Sequence, residues 1–406
     1  MVRRTLIFLI ICFFSTFNLQ SQSLKSILKS QTEISPNLSI YVKNLSKNKK
    51  IISYQDQKKM VPASNQKILT TIAALQFLGP NYRFKTSFFL TGKIQKNGIN
   101  YGNMYVDTKG DPTLSSSKLK KIIKFYKNHG LKEIKGNIII NSNYYEKPYY
   151  NSTWKKSWKG LSWAPYISSI AINNNLYNSG DNLYLTDNPL YLLGVIIKRE
   201  LNKANILFNG KVIIKKISFF DKINPFKIKQ HIYSDELSKI VNVINKESNN
   251  LYAENLFKKL SANYLRDEGS WRNSQKIVRF LLNKKVGIKN SSFNIEDGSG
   301  LSPFNTISTH GMVKLLEFVS KESYFNDFYD SLPIGGKDGT LNKRFKTKPL
   351  YLNIRAKTGY IKGVSSLSGY IIGKNNDLYA FSIIVNNHNY SIRDFMERIL
   401  TAVYYL

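Results

Sequence analysis

Three short groupings carry residue types that together can do acyl-transfer chemistry: Ser64-Asn65-Gln66-Lys67, Ser248-Asn249-Asn250 and Lys357-Thr358-Gly359. A serine hydroxyl is a poor nucleophile at neutral pH and needs a base within hydrogen-bond reach. A lysine three positions on stands one helical turn away on the same face, so Lys67 can be that base once burial and a neighbouring cation lower its pKa. Lys357 can supply the cation. Ser248 can relay a proton to a leaving amine, and the Asn250 amide can hold both Lys67 and a substrate backbone. Lys357 and Thr358 can bind a terminal carboxylate, while Gly359 lets a substrate lie close against a strand edge. The backbone N–H groups of Ser64 and Tyr360 are candidates for stabilising an oxyanion.

Taken singly, each grouping is common. Ser-x-x-Lys recurs at Ser26, Ser46, Ser115, Ser117 and Ser152. Only Ser64 combines a Pro62-Ala63 approach with a long apolar helix (Ile68, Leu69, Ile72, Ala73, Leu75). The competing readings are structural: a helix-capping serine with a surface lysine, loop caps at Ser248 and Asn250, a strand end at Lys357 to Gly359. The order of all three groupings along one chain favours chemistry. Asp297-Gly298-Ser299-Gly300 reads as a tight structural turn. Tyr144, Tyr145, Tyr149 and Tyr150 can line a sugar-binding face, but paired tyrosines read first as partial core.

The elements that must position these residues come from both ends of the chain. Leu38 to Lys43 and Lys50 to Tyr54 flank a polar turn and read as a hairpin. Tyr351 to Lys357, Ser365 to Ile372 and Leu378 to Asn386 read as three strands, with Gly359 to Gly363 as a turn, and Arg393 to Leu406 as an amphipathic helix. One antiparallel sheet built from both ends, covered by terminal helices, is the expectation. Between them, helices are expected at 118–128 and 190–201 with strands at 83–109 and 206–217. From 235 the pattern is helical (235–247, 251–262, 274–283, 309–320). The division is residues 1–22 as an export signal, 23–87 with 226–406 as a discontinuous catalytic domain, and 88–225 as an inserted domain of mixed type.

Composition narrows the classes. With 406 residues and 42% hydrophobics the chain can bury more than one core. A single cysteine excludes a disulfide scaffold and a cysteine-ligated metal, and the four histidines form no close pair. No cofactor or metal is expected. Arg3 and Arg4 followed by the apolar run Leu6 to Phe14 read as an export signal, too short for a spanning helix. Cys12 lies inside that run after Ile11, which argues against lipidation. The 60 Lys and Arg against 26 Asp and Glu give a formal charge of +34. Because the lysines are scattered, nucleic acid is not the expected partner; an anionic polymer outside the cytoplasm fits better. No stable membrane span is expected after signal cleavage.

The three groupings are the motif set of penicillin-binding proteins and class A β-lactamases. The long gap between the first two resembles the D-alanyl-D-alanine carboxypeptidase/endopeptidase family, peptidase type S13, also called the penicillin-binding protein 4 type. Further segments look like that family: Gly110-Asp111-Pro112-Thr113-Leu114, Lys246-Glu247-Ser248-Asn249-Asn250-Leu251, Asp297-Gly298-Ser299-Gly300-Leu301-Ser302, and Leu332-Pro333-Ile334 leading to Asp338-Gly339-Thr340-Leu341. The resemblance implies an α+β transpeptidase-like fold, an antiparallel sheet flanked by helices, with an insertion that is shorter than in the larger members. It implies Ser64 as acylated nucleophile, Lys67 as its base, Ser248 with Asn250 as the second element and Lys357 with Thr358 as the third. It further implies a periplasmic serine peptidase cutting D-alanyl-D-alanine termini or D-alanyl cross-links of peptidoglycan stem peptides, with β-lactam antibiotics as covalent inhibitors. Two alternatives remain at this stage: a non-catalytic wall-binding protein that keeps the fold, and a β-lactam hydrolase, which needs a deacylating carboxylate that the sequence does not reveal.

Overall fold

The computed structural model describes residues 24, 26–29, 37–217, 226–265 and 267–406. The expected export signal at 1–22, with Cys12, lies outside the described residues.

Both ends of the chain build one five-stranded antiparallel sheet. Its strands are β1 (Leu38–Asn44), β2 (Lys49–Tyr54), β3 (Ile354–Ile361), β4 (Val364–Ile372) and β5 (Leu378–Asn386), in the order β3-β4-β5-β1-β2. β3 is therefore an edge strand: its first half is bridged by Pro333 to Gly335, through Gly335 N–H to the Ile354 carbonyl and Ala356 N–H to the Pro333 carbonyl, and among the described residues no strand covers its outer edge beyond Ala356, where an extended ligand can lie. Its position corrects the expectation of a strand ending at Lys357. The strand continues to Ile361, with Thr358 opposite Leu367 and Tyr360 opposite Ser365, and Lys357-Thr358-Gly359 sits in its middle. The turn shrinks to Lys362 and Gly363, where Gly363 takes the positive φ of 81° that it requires.

The longer helices of this half are α1 (Gln66–Leu78), α2 (Leu237–Lys246), α3 (Asn250–Tyr264), α4 (Trp271–Phe280), α5 (Thr309–Val319) and α6 (Arg393–Tyr404), with a shorter one at Phe325–Ser331. Every residue from Gln66 to Leu75 is buried, so α1 is a central helix apolar or satisfied on all sides rather than amphipathic. It packs on α2 and α3, and a shared core of Ile68, Ile72, Ile240, Ile244, Leu256 and Leu316 reaches the sheet at Ile384. The opposite face of the sheet is covered by α6, whose Phe395, Ile399 and Val403 meet Ile40, Leu367 and Phe381, and by Leu24. Both faces are thus buried, not only the one under the terminal helices. Each fully buried large aliphatic side chain there contributes about 1.5–3 kcal/mol.

Between α1 and α2 the chain forms a second core around a mixed sheet ordered Val212–Lys215, Ile138–Asn141, Met104–Asp107, Lys85–Thr91, Phe226–Tyr233, with helices Ser116–Asn128 and Pro189–Lys203. Ser115, one of the recurrent Ser-x-x-Lys serines, caps the first of these helices, its side chain accepting from the Lys118 N–H. The pairing of Lys85–Thr91 with Phe226–Tyr233 places both strands in this sheet, so the division expected at 87/88 and 225/226 falls inside one strand pair. A smaller cluster of Tyr150, Trp154, Ala164, Ile167 and Ala171 joins Leu251 of α3 and Leu301, seating the inserted segment on the catalytic half.

Candidate active site

Ser64 lies in a short turn of 3-10 helix (Ala63–Asn65) that leads into α1 and packs on the edge strand β3. Ala63 holds φ at 47°, outside the range favoured by residues with a Cβ, and Ser248 does the same at 58°. Such conformations cost of order 1–3 kcal/mol each and persist only where the surroundings enforce them. Here they aim the first and second serines.

The Lys67 ammonium is fully buried one turn into α1. Its Nζ lies 3.2 Å from Ser64 Oγ, 2.6 Å from Asn250 Oδ1 and 2.7 Å from the Ser299 carbonyl. Burial brings its pKa down to about 7, although Asp297 and Glu254 pull the other way. Lys357, also fully buried, donates to Ser248 Oγ at 2.9 Å and to the Thr358 carbonyl at 2.9 Å. Desolvation, and then the Lys67 charge, hold Lys357 well below the ordinary lysine range. Ser248 therefore enters the site through Lys357.

Asn250 is the first residue of α3, not a loop residue, and Asn249 caps that helix by accepting from the Tyr252 N–H. The Asn250 Oδ1 takes Lys67, and its Nδ2 donates to the Trp163 carbonyl at 2.7 Å. The second N–H of that amide remains for a substrate carbonyl. Thr358 shares a hydrogen bond with Thr340 at 2.8 Å, which ties the third motif to the Asp338-Gly339-Thr340 segment. Asp338 in turn is fixed by Lys246 at 2.6 Å, two residues before Ser248.

Gly359 allows the close approach. A Cβ there would lie 2.2 Å from Ser366 Oγ, 2.6 Å from the Pro62 carbonyl and 3.0 Å from the Ser64 nitrogen. The edge strand and the nucleophile turn can meet only without a side chain at this position. Asn65 locks the same junction: with its amide oriented as its neighbours require, it donates to the Lys357 carbonyl at 2.7 Å and accepts from Ser368 Oγ at 2.7 Å. Tyr360, next along the strand, is 73% exposed.

The structure adds residues that sequence reading gave no chemical role: Asp297 to Gly300, read as a structural turn, and Glu254, on the expected helix 251–262. Glu254 accepts from the Gly298 and Ser299 N–H groups at 3.1 and 2.7 Å, and Asp297 accepts from Gly300, Ser302, Asn305 and Trp154. Both carboxyls are fully buried, and burial raises the pKa of each. This scaffold aims the Ser299 carbonyl at Lys67. The signal was present as Asp-Gly-Ser-Gly, but a turn and a ligand-presenting turn share one sequence pattern. The tyrosine pairs divide: Tyr145 is buried and donates to the Asn255 carbonyl at 2.7 Å, and Tyr144 meets Lys259, whereas Tyr149 is half exposed. Among the described residues no cluster of three His, Cys, Asp or Glu side chains is placed to hold a metal.

Comparison with known proteins places this geometry. Residues 20–183 and 182–403 match the model of the D-Ala-D-Ala carboxypeptidase 3 (S13) family. The D-alanyl-D-alanine carboxypeptidase DacB of Haemophilus influenzae is 26% identical over 420 residues, covering 87% of this chain and 86% of its own. The crystal structure of penicillin binding protein 4 from Haemophilus influenzae superposes with a TM-score of 0.82 at 24% identity, over 94% of this chain and 98% of that one. A penicillin G-acylated predatory endopeptidase of Bdellovibrio bacteriovorus, in complex with an immunity protein, shares the fold at a TM-score of 0.58 and 16% identity, over 89% of this chain and 88% of its own.

Proposed function

The chain belongs to the D-Ala-D-Ala carboxypeptidase 3 (S13) family and is a serine-type DD-peptidase, and we propose that it works through an acyl-enzyme on Ser64 and cuts both D-alanyl-D-alanine termini and D-alanyl cross-links of peptidoglycan peptides. The observation that carries the residue assignment is the Lys67 Nζ, buried, near pKa 7 and 3.2 Å from Ser64 Oγ.

Neutral Lys67 takes the Ser64 proton as Oγ attacks the D-alanyl carbonyl carbon. The developing oxyanion is met by the N–H groups of Ser64 and Tyr360. The C–N bond then breaks. The proton that Lys67 took passes through the Ser248 hydroxyl, which Lys357 holds, to the leaving amine, so Lys67 is neutral again and can activate the water that hydrolyses the acyl-serine. The substrate carboxylate is bound by Lys357 and Thr358. Its arrival returns a proton to Lys357, and a charged Lys357 keeps Lys67 neutral for the attack. Penicillin follows the same first step, with its ring amide as the bond that opens and no leaving group to depart.

Cleavage of cross-links is supported by the endopeptidase neighbour's fold and by the open edge of β3, along which an extended acyl chain can lie. Export is supported by the apolar run from Leu6 to Phe14, and among the described residues no helix is long and apolar enough to cross a membrane. Labelling of the purified protein by a fluorescent penicillin, beside Ser64→Ala, tests the core of the proposal: label on the parent alone supports it, and a folded parent that takes no label refutes it. Digestion of cross-linked and uncross-linked muropeptides by the labelled-competent protein then separates the two cleavages.

A further inference from the structure

We propose that the inserted segment carries a second binding site, for a pyranose glycan bearing a carboxylate, in an open cavity of about 830 Å3 lined by Tyr149, Tyr150 and Tyr166 with Lys147 and Lys159 at its rim. The choice of a carboxylated sugar rests on the wall substrate proposed above. None of Ser64, Lys67, Ser248, Asn250 or Lys357 lines this cavity, so it is distinct from the peptidase site.

Tyr149 and Tyr166 form the open wall, and Tyr150 backs it from the buried cluster around Trp154. Tyr150 and Tyr166 stand with ring centroids 5.5 Å apart at 51°, and Tyr149 and Tyr166 keep part of their surface open. Pyranose rings present flat C–H faces that stack on such surfaces, while a phenol gives large contact area with few rotatable bonds to order. Pro148, Leu190 and Ile214 extend the apolar lining.

Charge then selects the ligand. The Lys147 ammonium lies 5.7 Å from the centre of the Tyr149 ring, and that of Lys159 5.4 Å from the centre of the Tyr150 ring. Both side chains are exposed, and among the described residues neither is paired with a carboxylate. Lys216 is different: Glu268 holds it at 2.8 and 3.0 Å, so its charge is committed. Two uncommitted cations over two tyrosine faces will meet the acidic substituent of a stacked sugar, and Asp187 and Asn188 offer partners for hydroxyl groups. A neutral glycan would use the rings and leave the lysines unsatisfied.

The cavity is also joined rigidly to the peptidase site. Tyr150 packs edge-on against Trp154 at 5.2 Å, and Trp154 donates to Asp297, which shapes the loop that holds Lys67. A peptide-free stretch of glycan, whose carboxyls are not tied up in amide bonds, and a stem peptide elsewhere on the same polymer would therefore be held by one framework.

The test is calorimetric titration of the mature chain with the peptide-free disaccharide N-acetylglucosaminyl-N-acetylmuramic acid, and with chitobiose as its neutral counterpart, before and after acylation by penicillin. The expected result is that the acidic disaccharide binds free and acylated protein alike and more tightly than chitobiose. Its affinity falls tenfold or more in Lys147→Ala/Lys159→Ala and in Tyr149→Ala, with penicillin labelling unchanged as the check on folding. Failure of the disaccharide to bind, binding equal to that of chitobiose, loss of binding on acylation, or normal affinity in both variants overturns the site. If penicillin labels Ser64 and the disaccharide does not bind, only this second site falls; a folded protein that takes no label overturns the peptidase reading instead.

Discussion

Trp154, on the inserted segment, donates its indole N–H to the buried carboxylate of Asp297 at 2.8 Å, on the loop whose Ser299 carbonyl holds Lys67. A residue of one half of the molecule thus fixes the base of the other half, at one remove. Asp297 also accepts from the Gly300 and Ser302 N–H groups and from Asn305, so the indole completes a set of donors that water cannot reach. Trp154→Phe keeps an aromatic ring but removes the donor together with part of the buried indole volume. A buried charged acceptor short of one partner costs about 1–3 kcal/mol, so the expected outcome is a lowered urea midpoint together with slower acylation. A variant that matched the parent in both would show the indole bond to be dispensable.

Lys67→Ala is expected to abolish detectable acylation. General-base removal alone costs roughly 10²–10⁴-fold in rate, and the truncation also strands Asn250 Oδ1 and the Ser299 carbonyl in a dry site. Stopped-flow mixing with a reporter penicillin measures the loss. Near-parental labelling would move the base elsewhere.

The pH dependence follows from the same lysine. Its pKa is lowered to about 7, and it accepts the Ser64 proton only when neutral. The acylation rate constant should therefore climb as pH rises through about 7 and level off above it. A profile that is flat from about pH 5.5 to about pH 8.5 would remove Lys67 from that role.

Lys357→Ala should act mainly on recognition. The variant loses the cation that binds the substrate carboxylate and, in the substrate complex, the charge proposed to oppose protonation of Lys67. KM for a D-Ala-D-Ala peptide is expected to rise by more than kcat falls, and the midpoint of the pH profile should move upward. Steady-state kinetics across pH reads both. A pure kcat loss with an unmoved midpoint would mean that Lys357 serves only the proton relay through Ser248.

Gly359→Ala tests the close approach. The new methyl would sit 2.2 Å from Ser366 Oγ, which can turn away, but also 2.6 Å from the Pro62 carbonyl, which is backbone. The junction between β3 and the nucleophile turn must open, and labelling should fall by orders of magnitude while the fold remains, as checked by circular dichroism. Gly359→Ala/Ser366→Gly should not rescue it, because the backbone contact persists; recovery in that double variant would assign the whole clash to the serine.

Much of this molecule was legible without coordinates because the determining interactions are local. The 3.6-residue period marked α2 and α6, runs bounded by turn residues marked β1, β4 and β5, and the Ser64–Lys67 spacing alone puts a hydroxyl and an amine on one helix face. The three motifs in order, with the segments around them, were enough to indicate the family and its α+β fold. Residues Ser64, Lys67, Ser248, Asn250 and Lys357 do converge, though Ser248 reaches the site through Lys357 and Asn250 through helix α3.

Other features depended on contacts between residues far apart in the chain. The strand at Lys357 was ended four residues too early because Gly359 reads as a turn residue, whereas its missing side chain serves the packing of Pro62 and Ser64. Phe226–Tyr233 joined the inserted sheet because its partner is Lys85–Thr91, a pairing no local period encodes. Asp297 read as a turn residue, Glu254 lay on an expected helix and Trp154 in a polar loop, since burial and a third party's hydrogen bond are not written in a residue's own neighbourhood. The chemistry available to this chain was carried by residue type and spacing. Which lysine is dry enough to act as a base, and what holds it there, was decided only when the distant segments closed around it and removed the water.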